Sequence, residues 1–140
     1  MTPPLPRRDR SPDPVRDHLK EARRGLLRLH KALIDAERAV WERDTGPVSN
    51  GRFLQALIED PFFAWLRPFS GLIVEVDERL ATGEPLPGEE ARAYVERIRA
   101  LVRPTGEEAE RYERVRQRDA GVLLAHVELE SRIDAVPEGA

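Results

Sequence analysis

One apolar stripe limits what this chain can become. From Val15 it runs through Leu19, Ala22, Leu26, Leu29, Leu33, Ala36 and Val40, in alternating steps of four and three. That spacing belongs to a single buried seam on a long α-helix. Asp13-Pro14 supplies the start, an N-cap followed by proline at the first helical position, and Thr45-Gly46-Pro47 stops the helix after about Asp44. Such a helix spans about 45 Å at a rise of 1.5 Å per residue. Two polar residues do not belong on the seam. At about 100° per residue, His30 and Glu37 lie almost over one another along its edge. A second pair, His126 and Glu130, sits on an apolar face near the C-terminus. A buried imidazole or carboxylate is costly unless it finds a partner, so these four positions are where function is expected.

The rest of the chain also reads as helix. Residues 1–12, with prolines at 3, 4, 6 and 12, are expected to form a disordered Pro/Arg-rich arm, and 136–140 a flexible tail. Ser49 or Asn50 caps a short helix carrying Phe53, Leu54, Leu57 and Ile58. Asp60-Pro61 repeats the cap-plus-proline device and opens the most apolar stretch, Phe62 to Leu80, which Pro68 breaks or kinks. Thr82-Gly83 ends that stretch, and Glu84 to Gly88 is a loop. A fourth helix carries Tyr94, Val95, Ile98, Leu101 and Val102 and stops before Pro104. Thr105 and Glu108 have the form of a capping box. Beyond them Asp119 is either an interior residue or a fresh cap, so 105–134 is one broken helix or two. Nothing alternates at period two. The expected fold is all-α: one domain over 13–135, an antiparallel bundle of about four principal helices plus a short one. The first helix outruns the others, so Val15, Leu19 and Ala22 are expected to project as an apolar overhang, which predicts a homodimer.

Composition removes several function classes. The chain has 140 residues and no cysteine, so it has neither a disulfide framework nor a thiolate metal site. Its 23 basic and 26 acidic residues are interleaved along every segment, without the basic stripe of a nucleic-acid binder. No apolar run approaches a membrane span, and no apolar stretch follows Arg7, Arg8 and Arg10 to make a secretory signal. The expectation is a bacterial cytoplasmic protein that binds neither nucleic acid nor membrane. No Ser-His-Asp order, phosphate loop or glycine-rich dinucleotide loop is present.

Two strings, LLRLHKALIDAERAVWER (Leu26 to Arg43) and DPFFAWLRPFSGLIVEVDE (Asp60 to Glu78), resemble an uncharacterised family of short bacterial all-helical proteins, as does QRDAGVLLAHVE (Gln117 to Glu128). The family tends to have a second aspartate-proline where this chain has Asp119-Ala120. The resemblance implies a compact helical fold and a bacterial cytosol, and no activity or cofactor.

The constellations that remain are three. His30, Glu37, His126 and Glu130 are metal ligands by type, with Asp77 a further source, and facing helices of a bundle can bring such groups together. The Glu-x-x-His step of di-metal bundles is absent. The structural alternative is that His30 and Glu37 pair with Arg67, Arg116 or a tyrosine hydroxyl and lock helix register. Phe62, Phe63, Trp65 and Phe69 gather around Arg67-Pro68, with Trp41 joining them. This is either a core plug past which Arg67 snorkels, or an apolar pocket with a cationic anchor for an acidic ligand, lined by Trp41, Trp65 and Arg67. Lys31, Asp35 and Arg38 are expected to form solvated pairs along the first helix. The leading expectation is a non-enzymatic interaction or regulatory module that self-associates. The alternative is a metal- or small-ligand-binding bundle, with redox or stress-related activity.

Overall fold

A computed structural model describes residues 13–135; the expected arm and tail lie outside the described residues. The elements are α1 (Pro14–Thr45), α2 (Asn50–Glu59), a 3-10 helix (Pro61–Leu66), α3 (Arg67–Ala81), α4 (Gly88–Val102), α5 (Glu107–Arg118) and α6 (Ala120–Asp134). The fold is all-α, with the long first helix in place. Among the described residues no helix is long and apolar enough to cross a membrane.

Caps explain most boundaries. The Asp13 carboxylate accepts from the Arg16 backbone N–H at 3.0 Å, and Ser49 Oγ from that of Arg52 at 3.2 Å. The Asp60 carboxylate takes the Phe62 N–H at 2.9 Å, ahead of the tight 3-10 turn. Each satisfies a donor that has no partner inside its helix. Pro68 marks a break in the apolar stretch rather than a kink, between the 3-10 helix and α3. It sits in the first turn of α3, where its missing N–H costs nothing. Asp119 settles the C-terminal half as two helices: its N–H closes α5 on the Val115 carbonyl, and its carboxylate opens α6 on the Val122 N–H. The capping box at Thr105 does not form. Gly106, at φ +70°, is the N-cap of α5 with no side-chain bond, and the first-turn glutamates 107, 108 and 110 interact favourably with the positive end of the helix dipole instead.

α1 is 32 residues long against 15 for each of α3, α4 and α6, so it needs two tiers of neighbours. Contacts fix the directions. His18 meets the Arg132 carbonyl and Arg28 meets Glu128, so α6 runs antiparallel to α1. Arg16 reaches the Leu80 carbonyl while His30 stacks on Phe69, so α3 also runs antiparallel to α1. Arg79–Glu90 and Arg97–Glu75 make α4 antiparallel to α3. These four form the principal bundle, up-down-up-down. The C-terminal third of α1 is covered by a second tier of α2, the 3-10 helix and α5.

The second tier removes the overhang by shifting the bundle towards the start of α1. Leu19 and Ala22 are fully buried. Arg16 donates to the Leu80 carbonyl at 2.7 Å, and the His18 ring bonds the Arg132 carbonyl at 2.9 Å. The expected apolar overhang is therefore wrong, and with it the original ground for a dimer. The surplus length of α1 lies at its other end, beneath α2 and α5.

Gly25, in the middle of α1, is where α6 approaches. A Cβ there would lie 2.9 Å from Leu129 Cδ1 and 3.4 Å from Leu129 Cα, and Leu129 is fully buried. The helix-propensity loss of about 1 kcal/mol is exchanged for close packing. Gly25→Val is expected to lower unfolding free energy by about 2–3 kcal/mol through overpacking, measured by urea denaturation. A stability equal to wild type would show that α6 does not pack here.

Candidate functional site

The α1 seam and the apolar face of α5 converge on one carboxylate. Glu37 is 3% exposed. Its Oε2 accepts from Arg111 Nη2 at 3.0 Å and from the Trp65 indole N–H at 3.1 Å, and its Oε1 from Arg118 Nη2 at 3.2 Å. Arg111 and Arg118 are seven residues apart on α5 and so share a face, bracketing the acid from one side. Arg111 also donates to the Phe62 carbonyl at 2.5 Å, and its guanidinium lies over the rings of Phe62 and Trp65 at 4.7 and 5.4 Å. One acid thereby ties α1, the 3-10 helix and α5. Charge-assisted bonds of this kind are the ones strong enough to offset desolvation.

Behind Trp65 lies a second polar cluster joining α5 to α6. His126 Nδ1 is 2.6 Å from the Tyr112 hydroxyl, and Nε2 is 2.8 Å from Glu130 Oε1 and 3.1 Å from Arg116 Nη1. A ring nitrogen cannot both donate to the carboxylate and accept from the guanidinium. The buried Tyr112 hydroxyl decides between them, because its proton needs an acceptor and Nδ1 is the one in reach. Tyr112 therefore donates to Nδ1, and Nε2–H donates to Glu130. Arg116 is held by Glu113 on its own helix. Burial pushes the Tyr112 hydroxyl pKa up. Burial also holds the His126 pKa below its ordinary value, against the opposing pull of Glu130.

The residues expected to bind metal are thus divided between environments. Glu37 belongs to the arginine cluster, His126 and Glu130 to the tyrosine cluster, and His30 stacks on Phe69 with ring centroids 6.2 Å apart. Burial lowers the His30 pKa. Asp77 pairs with Arg23. Among the described residues no group of three or more His, Asp or Glu side chains is placed to hold a metal ion. The register-locking alternative holds in kind for Glu37, but its partners are Arg111, Arg118 and Trp65 rather than Arg67 or Arg116.

The expected pocket of Trp41, Trp65 and Arg67 is also divided. Arg67 is turned to backbone carbonyls. It donates to the Leu57 and Asp60 carbonyls at 3.1 and 2.8 Å, closing the end of α2. Trp41 packs on Phe53 and Phe63 and borders a shallow depression with Arg52, Gln55 and Glu59. Trp65 lines a different cleft with Pro68, Phe69, Arg103 and Glu108. On α1, Arg38 leaves Asp35 for Glu42 at 2.6 Å and reaches on to Asn50 and the Val48 carbonyl. The residues missed by sequence reasoning are Arg111 and Arg118, while Arg116 and a tyrosine hydroxyl, expected beside His30 or Glu37, meet His126 instead. A signal existed: a buried acid requires cations, and Arg111 and Arg118 recur at helical spacing beside the apolar positions Tyr112 and Val115.

Removing Glu37 leaves two guanidiniums and an indole N–H without their acceptor. Glu37→Ala is expected to cost about 2–3 kcal/mol, below the full penalty for breaking a buried pair because both arginines reach solvent. Glu37→Gln, which still accepts from Trp65, should cost less. Urea midpoints of the two variants check the order, and equal losses would deny the charge any role. The pH dependence has two windows. His30 and His126 are lowered in the folded state, so their contribution is complete above the ordinary value of 6.5 and is lost as pH falls through the folded values. Glu75 and Glu90, lowered by hydrogen bonds from Arg97 and Arg79, act separately below about 4.5. Melting temperature is therefore expected to fall between pH 7 and 5, and His126→Gln to flatten part of that slope. A slope unchanged by the substitution would place the proton uptake elsewhere.

Compared with protein-family models, curated proteins and solved structures, the chain matches none.

Proposed function

We propose that this chain is a non-enzymatic helical-bundle module of the bacterial cytoplasm that works by self-association, two copies meeting through the outer face of α6. The observation that carries the reading is that α6 is apolar on both sides. Val122, Ala125, Leu129 and Ile133 face the core, while Leu123, Leu124 and Val127 are 46%, 61% and 55% exposed. Exposed Ala120 and Ser131 extend the same stripe with small side chains that let a second helix come close. A helix apolar all round ordinarily has neighbours all round. One stripe buries less than the roughly 800 Å² per partner of a standard interface, so the association is weak and concentration-dependent.

Sedimentation velocity from about 10 μM to about 1 mM, a range that brackets weak association, is expected to show a mass rising from 15.9 kDa towards twice that value. Leu124→Asp should hold the protein monomeric without unfolding it, since substitutions at exposed sites stay within about 0.5 kcal/mol. Leu54→Asp, in a second exposed apolar pair with Ile58 on α2, should leave association unchanged. A monomer at all concentrations would overturn the reading.

A further inference from the structure

A cleft of about 280 Å³ opens where the end of α4 passes the start of α3. Trp65, Pro68, Phe69 and Leu101 make its apolar lining, and Arg103 and Glu108 are its charged groups. Arginines such as Arg67, Arg79 and Arg111 are bound into close ion pairs and carbonyl bonds. Arg103 is not: its nearest carboxylate is Glu130 at 3.7 Å, and half its side chain is open to water. Among the described residues Glu108 has no ion-pair partner, and Arg103 and Glu108 do not pair with each other although both line the cleft. α4 also ends here without a backbone N–H returning to its last carbonyls, because Arg103 makes no such bond and Pro104 has no N–H to give. Those carbonyls add to the negative side of the cleft.

We propose that this cleft binds a free amino acid with a bulky apolar side chain. The side chain lies on Trp65, Pro68 and Leu101, the carboxylate meets Arg103, and the ammonium meets Glu108 and the α4 carbonyls. An apolar lining with one charge of each sign complements such a zwitterion and leaves a purely anionic or purely cationic ligand facing one like charge. The volume is just below the usual range for drug-sized ligands, about 300–1,000 Å³, which restricts the occupant to amino-acid size. The indole N–H of Trp65 is already held by Glu37, so the ring is fixed in place as a platform and loses little freedom when a ligand arrives.

The test is an NMR titration of the full chain with L-phenylalanine and L-leucine, following the Trp65 indole signal. Phenethylamine, 3-phenylpropanoate and glycine serve as comparators that lack the carboxylate, the ammonium and the side chain. Saturable shifts are expected for the two amino acids, with each comparator weaker by about tenfold or more. Arg103→Gln and Glu108→Gln, both at exposed positions, should each weaken binding by a similar factor while the rest of the spectrum keeps its folded dispersion. Three results would each overturn the proposal: no saturable shift at millimolar amino acid, equal binding of the three phenyl compounds, or affinity unchanged in Arg103→Gln.

Discussion

The carboxylate of Glu37 is where the two tiers of the molecule share their most buried ionic contact. Helices α1, α3, α4 and α6 form a bundle whose seam is set by Leu19, Leu26, Leu29 and Leu33 against Leu129, Val76 and Ile98. Apolar packing of that kind fills volume and is tolerant of sliding. The second tier rests on α1 beyond the bundle, where α5 is short and its surface mostly charged. Position there is set by direction-dependent bonds: Arg111 and Arg118 from one helix and Trp65 from the 3-10 turn, all meeting one acid. Replacing such a cluster by hydrocarbon can be neutral or favourable for stability. What hydrocarbon cannot supply is a single docking position for α5.

The two polar clusters are linked through aromatic contact. Trp65 touches Glu37 through its indole N–H and meets the Tyr112 ring edge-on at 6.3 Å. Tyr112 in turn fixes the His126 tautomer, and His126 directs Glu130. Rotating the indole would disturb a carboxylate on one side and a tyrosine hydroxyl on the other, so the aromatic group around Trp65 is both core filling and part of the polar framework. This explains why the bulkiest side chains crowd around the 3-10 turn, at the junction of both tiers.

Much of the fold was legible because it depends on local rules. The seven-residue recurrence on α1, the Asp-Pro starts and the Gly stops are each read within one turn of helix, and they placed nearly every boundary. Thr105 was one exception. Its spacing to Glu108 fits a capping box, but Gly106 can adopt a positive φ and takes the cap position instead. The overhang failed for a different reason: helix length is local, but where a bundle slides along a helix is set by long-range contacts such as Arg16 to Leu80 and His18 to Arg132. At the candidate site, burial made Glu37 and His126 stand out as groups that need partners. Their partners could not be read, because Glu37 and Arg118 are 81 residues apart and only the folded chain shows which of its many arginines arrives.

That abundance of arginine bears on where binding can occur. A guanidinium held by a carboxylate or by helix-end carbonyls, as Arg67 and Arg79 are, has its donors already directed and loses bonds if it turns to a ligand. Lysine would pair less rigidly and remain available, yet the chain has only Lys20 and Lys31. Most of the positive charge is therefore structural, and a cationic surface residue is a poor guide to a binding site here. The informative positions are those where pairing is incomplete beside apolar surface. Arg103 and Glu108 satisfy that condition at the α4–α5 cleft, and the stripe on α6 satisfies its apolar counterpart, with no charge within it. The two surfaces ask for different occupants: one small and zwitterionic, the other a helix as plain as α6 itself.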